Sequence, residues 1–166
     1  MEARYAQYHE MNDGKFKADI GYNFLIDRCG NIYEGRDLVY FPSHAGATVE
    51  AGVQRNLSKD PDYGSIGVAF IGCPEFPLTF EQVEAAKKLI SFYITHYCVN
   101  EVLTRPEVKL KLEDGTLLGE KLTPKGNYDA YVNPGAGTME GIISIRNYFR
   151  NNFSIPFDED AYRSLF

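Results

Sequence analysis

The stretch DIGYNFLIDRCGNIYEGR, residues 19–36, gathers side chains able to do chemistry. Tyr22 offers a phenol, Asn23 a carboxamide and Arg36 a guanidinium whose planar fork matches a carboxylate through two parallel hydrogen bonds. Two of these have a plainer reading from the residues alone. Tyr22 also fits a strand tyrosine packed at a sheet end, and Arg36 a salt-bridge partner of Glu34 or Asp37. Further along, His44 reads either as a site residue or as a loop histidine bonded to backbone. The three histidines, His9, His44 and His96, share no i, i+4 or short-loop spacing of a metal clip. Cys29, Cys73 and Cys98 are an odd number at wide spacing, which suits neither a disulfide framework nor a zinc clip. Cys73 follows an apolar run and Cys98 closes an apolar helix face, so packing is expected for both.

The surrounding pattern indicates what must hold these groups. Tyr22, Phe24 and Ile26 alternate with Asn23, Leu25 and Asp27, the period of a strand. Cys29-Gly30-Asn31 supplies turn residues before Ile32 and Tyr33 open a second strand, so a hairpin is expected. Residues 41–64, rich in Gly, Pro, Ser and Asp, read as a long connecting loop. SIGVAFIG, residues 65–72, is apolar on both faces and predicts a central buried strand. Thr79 and Gln82 form a capping box ahead of Val83, Ala86, Ile90, Tyr93, Ile94 and Tyr97, which fall at helical spacing. Val108, Leu110 and Leu112 alternate before Asp114-Gly115, a hairpin turn. Residues 139–149 read as a last helix with Ile142, Ile145 and Phe149 on one side, and 154–166 as a tail laid over the surface. At the other end, Tyr5, Tyr8 and Met11 mark one weak helical face within 4–14. Strands interleaved with helices give an α/β domain over residues 1–153, a central mixed β-sheet flanked by helices.

Composition narrows the partners. With 166 residues, 44% of them hydrophobic, the chain can bury one proper core. A net charge of -6 and the lack of a basic cluster argue against nucleic acid, whose binding is mostly neutralisation of phosphate by Lys and Arg. No apolar run reaches the roughly 20 residues of a membrane span, and MEARYAQYHE carries charges in place of a signal-peptide core, so the compartment stays open.

DIGYNFLIDRCGNIYEGRD, then SHAG at residues 43–46, then SIGVAFIG, resemble in order and content the zinc-dependent N-acetylmuramoyl-L-alanine amidases of the phage-lysozyme type and the related peptidoglycan recognition proteins. The resemblance is specific over residues 19–37 and 65–72 and loose but continuous from about Tyr5 to Phe149. It implies a central mixed sheet with a groove across one face for a stem peptide and its muramyl sugar. It also implies a zinc held by two histidines and a cysteine, with a fourth position open to water. Tyr22 stands where the family has a tyrosine that positions the water or the oxyanion, a vestigial catalytic residue in this chain. Asn23, Arg36, His44 and Asn56 are then the expected groove contacts, with Arg36 facing a stem-peptide carboxylate.

The implied ligand set departs from the family. The first histidine belongs to a strand upstream of the helix containing Tyr8 and His9, a strand the chain is expected to lack. The second falls in Leu103-Thr104-Arg105-Pro106-Glu107-Val108, where Arg105 and Pro106 take the candidate positions. The cysteine before Pro-Gly is replaced by Asn133, and Tyr131 stands where a Lys or Thr helper is expected. Between Arg105 and Asn133 the chain inserts a hairpin near 109–127, and since zinc needs its donors about 2.0 to 2.3 Å away, a lengthened loop would itself disturb the site. No cofactor is therefore expected, and zinc only if unexpected ligands assemble. The preferred reading is a metal-free, non-hydrolytic amidase-like domain binding a muropeptide or a replacement small ligand. An active amidase is the second, and a protein-interaction module using the insertion and the twelve tyrosines the third. A missing strand leaves an edge to cover, by a homodimer, the insertion or the C-terminal tail.

Overall fold

A computed structural model describes residues 20–39, 64–73, 75–104 and 135–163. Three strands, β1 (Phe24–Ile26), β2 (Ile32–Glu34) and β3 (Val68–Phe70), are followed by helices α1 (Phe80–Tyr97), α2 (Met139–Phe153) and α3 (Glu159–Arg163), with a 3-10 turn at Ala136–Thr138 before α2. The sheet order is β2-β1-β3. Asp27 N–H donates to Asn31 O and Gly35 N–H to Asn23 O, the constant-sum register of an antiparallel hairpin. Phe24 N–H donates to Gly67 O and Ile71 N–H to Ile26 O, the constant-difference register of a parallel pair. The sheet is mixed and the domain α/β, as the pattern predicts.

The chain divides into two compact units. Among the described residues, the first comprises 20–25, 33–39 and 64–69, and the second 26–32, 70–73, 75–104 and 135–163. In the second unit α1 packs on α2 through Val83, Ala85, Ala86, Tyr93, Ile142, Ile143, Ile145 and Phe149, all buried. The capping box forms as expected: Thr79 Oγ1 accepts from Gln82 N–H at 3.1 Å and Gln82 Oε1 from Thr79 N–H at 3.1 Å. Gln82 does more than cap, because its buried Nε2 donates to Ile26 O and Ile71 O and so joins the helix start to the ends of β1 and β3.

Three expectations are corrected. SIGVAFIG gives β3, which is half-buried where full burial was expected, and among the described strands β1 takes the centre because the tight hairpin lays β2 on its other side. Cys73 and Cys98 are exposed with Cys29, all three free, because Cys73 opens a turn closed by Phe76 N–H and Cys98 sits at the helix end. The C-terminal stretch is no surface tail: Ile155 and Tyr162 are buried at 5% and 2% exposure, their apolar bulk docked with the second unit. The helix expected within 4–14, the loop at 41–63 and the inserted hairpin near 109–127 lie outside the described residues.

Candidate functional site

The site is built outward from the hairpin turn. Asp27 accepts from Cys29 N–H and Asn31 N–H at 2.9 Å each through Oδ1, and from Asn31 Nδ2 at 2.9 Å through Oδ2, while Gly30 takes the positive φ of 81° that the turn demands. This closure sets the register that brings Arg36 opposite Tyr22. Arg36 N–H donates to Tyr22 O at 2.8 Å, and Arg36 Nε donates to Ile20 O at 2.9 Å, which ties the guanidinium to the segment ahead of β1. Tyr22 and Arg36 are both half-buried, so each keeps part of its surface at the solvent boundary.

Asn23 lies beneath them. It is 1% exposed, and its carboxamide joins two other segments of chain: Oδ1 accepts from Gly67 N–H at 2.9 Å and Nδ2 donates to Arg36 O at 3.0 Å. Those partners decide which end of the amide is oxygen, since one is a donor and the other an acceptor. The main chain of Asn23 is engaged as well, its N–H donating to Gly67 O at 3.0 Å and its O accepting from Gly35 N–H at 2.8 Å. The structure thus sets Asn23 in the frame of the site, where a groove contact was expected.

Gly35 completes the frame. A Cβ there would collide with Tyr22 O and stand 3.1 Å from Ile20 Cγ2, so only glycine lets the second strand approach this closely. Neither Gly35 nor Gly67 was singled out from the sequence. A glycine inside a strand pattern signals close backbone approach, and EGR at 34–36 carried that signal. Of the expected contacts, the structure brings together Tyr22, Asn23 and Arg36. His44 and Asn56 lie outside the described residues, as do Arg105, Pro106, Tyr131 and Asn133 at the former ligand and helper positions.

The resemblance implies a zinc, and the described residues do not gather ligands for one. Among them, no group of three His, Cys, Asp or Glu side chains is placed to hold a metal ion. His96 stacks on Phe92 with ring centroids 4.4 Å apart, and its Nδ1 lies 2.8 Å from Phe92 O, so one ring nitrogen is engaged by its own helix. These described residues supply no donor set for zinc. No helix among the described residues is long and apolar enough to cross a membrane.

Known proteins share this arrangement of sequence. The Drosophila melanogaster peptidoglycan-recognition protein SC2 is 41% identical over 75 residues, 45% of this chain and 34% of that protein. The peptidoglycan-recognition protein SD of the same fly is 40% identical over 85 residues, 51% of this chain and 38% of that protein. The chain therefore spans little more than a third of the length of these relatives. The sequence profile of the N-acetylmuramoyl-L-alanine amidases matches residues 1–109, a range that holds the whole Tyr22–Arg36 frame and its tie to Gly67, and with that match the chain belongs to the N-acetylmuramoyl-L-alanine amidase family.

Proposed function

We propose that this peptidoglycan-recognition and amidase-like domain binds a muropeptide without a metal and without hydrolysing it. The observation that carries the reading is the Tyr22–Arg36 pair: two half-buried residues whose main chains are bonded to each other, one bearing a phenol and the other a guanidinium whose Nε is held by Ile20 O, residue types suited to a carboxylate-bearing stem peptide. Arg36 supplies the fork for the carboxylate, and Tyr22 contributes a hydroxyl and an apolar ring face. His44 and Asn56 are further contacts on the same reading. Recognition needs a few placed polar groups and no metal, whereas amide hydrolysis by this family needs the zinc-bound water. Arg105 and Asn133 at the former ligand positions support the metal-free half of the proposal, because a guanidinium is never deprotonated in a protein and a carboxamide is a poor zinc donor.

Two measurements on one preparation test it. Titration of muramyl peptides by calorimetry is expected to show saturable heat, diminished in Arg36→Ala. Protein purified without chelators and supplied with zinc is expected to hold no stoichiometric metal by mass spectrometry and to release no L-alanine peptide from peptidoglycan. Absence of heat with every stem peptide sinks the binding reading. Stoichiometric zinc together with peptide release establishes the active amidase in its place.

A further inference from the structure

We infer that Asn23 is a positioning residue for Tyr22 and Arg36: its buried carboxamide fixes their separation by linking the Arg36 main chain to Gly67. The inference rests on the reading of Tyr22 and Arg36 as ligand contacts and adds how they are kept ready. Tyr22 is the residue before Asn23 and inherits its backbone placement. Arg36 is gripped at both ends of its own peptide unit, its N–H by Tyr22 O at 2.8 Å and its O by Asn23 Nδ2 at 3.0 Å. The third segment enters through a reciprocal pair, Asn23 N–H to Gly67 O at 3.0 Å and Gly67 N–H to Asn23 Oδ1 at 2.9 Å. One side chain therefore does for the second strand what a ladder bond does, while also holding Gly67.

The chemistry of the position is narrow. An acceptor must face Gly67 N–H and a donor must face Arg36 O, about one carboxamide apart, from a side chain that is 1% exposed. Aspartate retains the acceptor and sets an oxygen against the Arg36 carbonyl, which pushes Arg36 away. Alanine leaves both backbone groups without this partner. Glycine at position 35 belongs to the same device, since any larger residue would hold the strands too far apart for Nδ2 to reach Arg36 O.

The full chain carrying Asn23→Asp, Asn23→Ala or Arg36→Ala tests the assignment, with muramyl tripeptide as the calorimetric probe and amide hydrogen exchange followed by NMR. The Gly35 and Arg36 amides are expected to exchange at least about tenfold faster in both Asn23 variants while the amides of α1 keep their wild-type rates. Muramyl tripeptide is expected to bind about tenfold to a hundredfold more weakly, the scale on which misplacement by about an ångström is felt. When Arg36→Ala is already present, Asn23→Asp is expected to add little further loss, because residues acting through one contact are not additive. Unchanged exchange at Arg36, equal acceleration in α1, or the same loss of affinity with and without Arg36 would each make Asn23 an ordinary core residue and overturn the proposal. A wild-type chain that ignores muramyl tripeptide removes the binding reading alone, and exchange at Arg36 still decides the role of Asn23.

Discussion

Tyr22 and Arg36 are proposed contacts that the family resemblance marks in the sequence; the backbone frame around them is less legible. A carboxamide in a strand looks the same whether it faces a ligand or two buried backbone groups, and only the three-segment geometry separates the two uses of Asn23. Gly35 is the sharper case, since its meaning lies in atoms of residues 20 to 23 that would strike a Cβ. Gly35→Ala is therefore expected to lower the unfolding free energy by about 1 to 3 kcal/mol, the usual cost of forcing one extra group into a packed place. If the proposed muramyl-peptide binding holds, that affinity should fall in step, because the strand shift moves the Arg36 main chain from Tyr22. Urea unfolding and calorimetry on the one variant check both statements, and a chain as stable and as tight as wild type would show that the second strand accommodates a methyl group without moving.

Elements with local signals are readable, and those defined by distant neighbours are not. The start of α1 is written in Thr79 and Gln82 and appears in the structure as the reciprocal pair of bonds. The extent of burial along its stripe is not written there, because Tyr97 has the spacing but lies beyond the packed stretch of the helix. β3 fails for a related reason: apolar residues on both faces state what could be covered, while the neighbours decide what is. Thr79 carries one bond no local rule contains, its Oγ1 donating to Arg28 O at 2.8 Å across 51 residues of chain. Thr79→Ala is accordingly expected to cost about 1 to 2 kcal/mol, at the upper part of the range for a lost cap. Thr79→Ser, which keeps the hydroxyl, should recover most of it. Thermal unfolding of the pair separates them; two variants equally close to wild type would mean that Gln82 alone secures the junction.

At the scale of the whole molecule, the least legible feature is the C-terminal stretch, whose charged run DED conceals that Ile155 and Tyr162 are core. Two kinds of contact hold it to α2. The outer kind is ionic: Arg163 reaches Glu140 at 2.7 Å and Glu159 at 2.9 Å, and Glu159 also accepts from Asn147 Nδ2 at 2.9 Å. The bond from Arg163 holds the Glu140 carboxyl below its ordinary value, and those from Asn147 and then Arg163 do the same for Glu159. Carboxyls lowered by folding stabilise the fold above their ordinary value and cease to do so as pH falls through the folded one. Acidification from pH 7 to 3 should therefore loosen α3, seen as reduced heteronuclear NOE at residues 159–163, and added salt should weaken the same contacts at pH 7. An NOE unchanged across that range would show that the ionic contacts are decoration. The inner kind is apolar and indifferent to pH: Ile155 and Tyr162 are buried, and the Arg146 guanidinium lies 4.4 Å from the centre of the Phe157 ring. Fully burying an aliphatic or aromatic side chain is worth about 1.5 to 3 kcal/mol, so a chain ending at Phe153 should lose about 3 to 6 kcal/mol of stability through Ile155 and Tyr162 alone. Truncation also removes the Phe157 ring lying over the guanidinium of Arg146, a residue 4% exposed in the intact chain. A strap lying on the surface would come away with no change in unfolding midpoint. A docked one, when removed, should leave a chain that unfolds at much lower urea and aggregates through the apolar face it had covered.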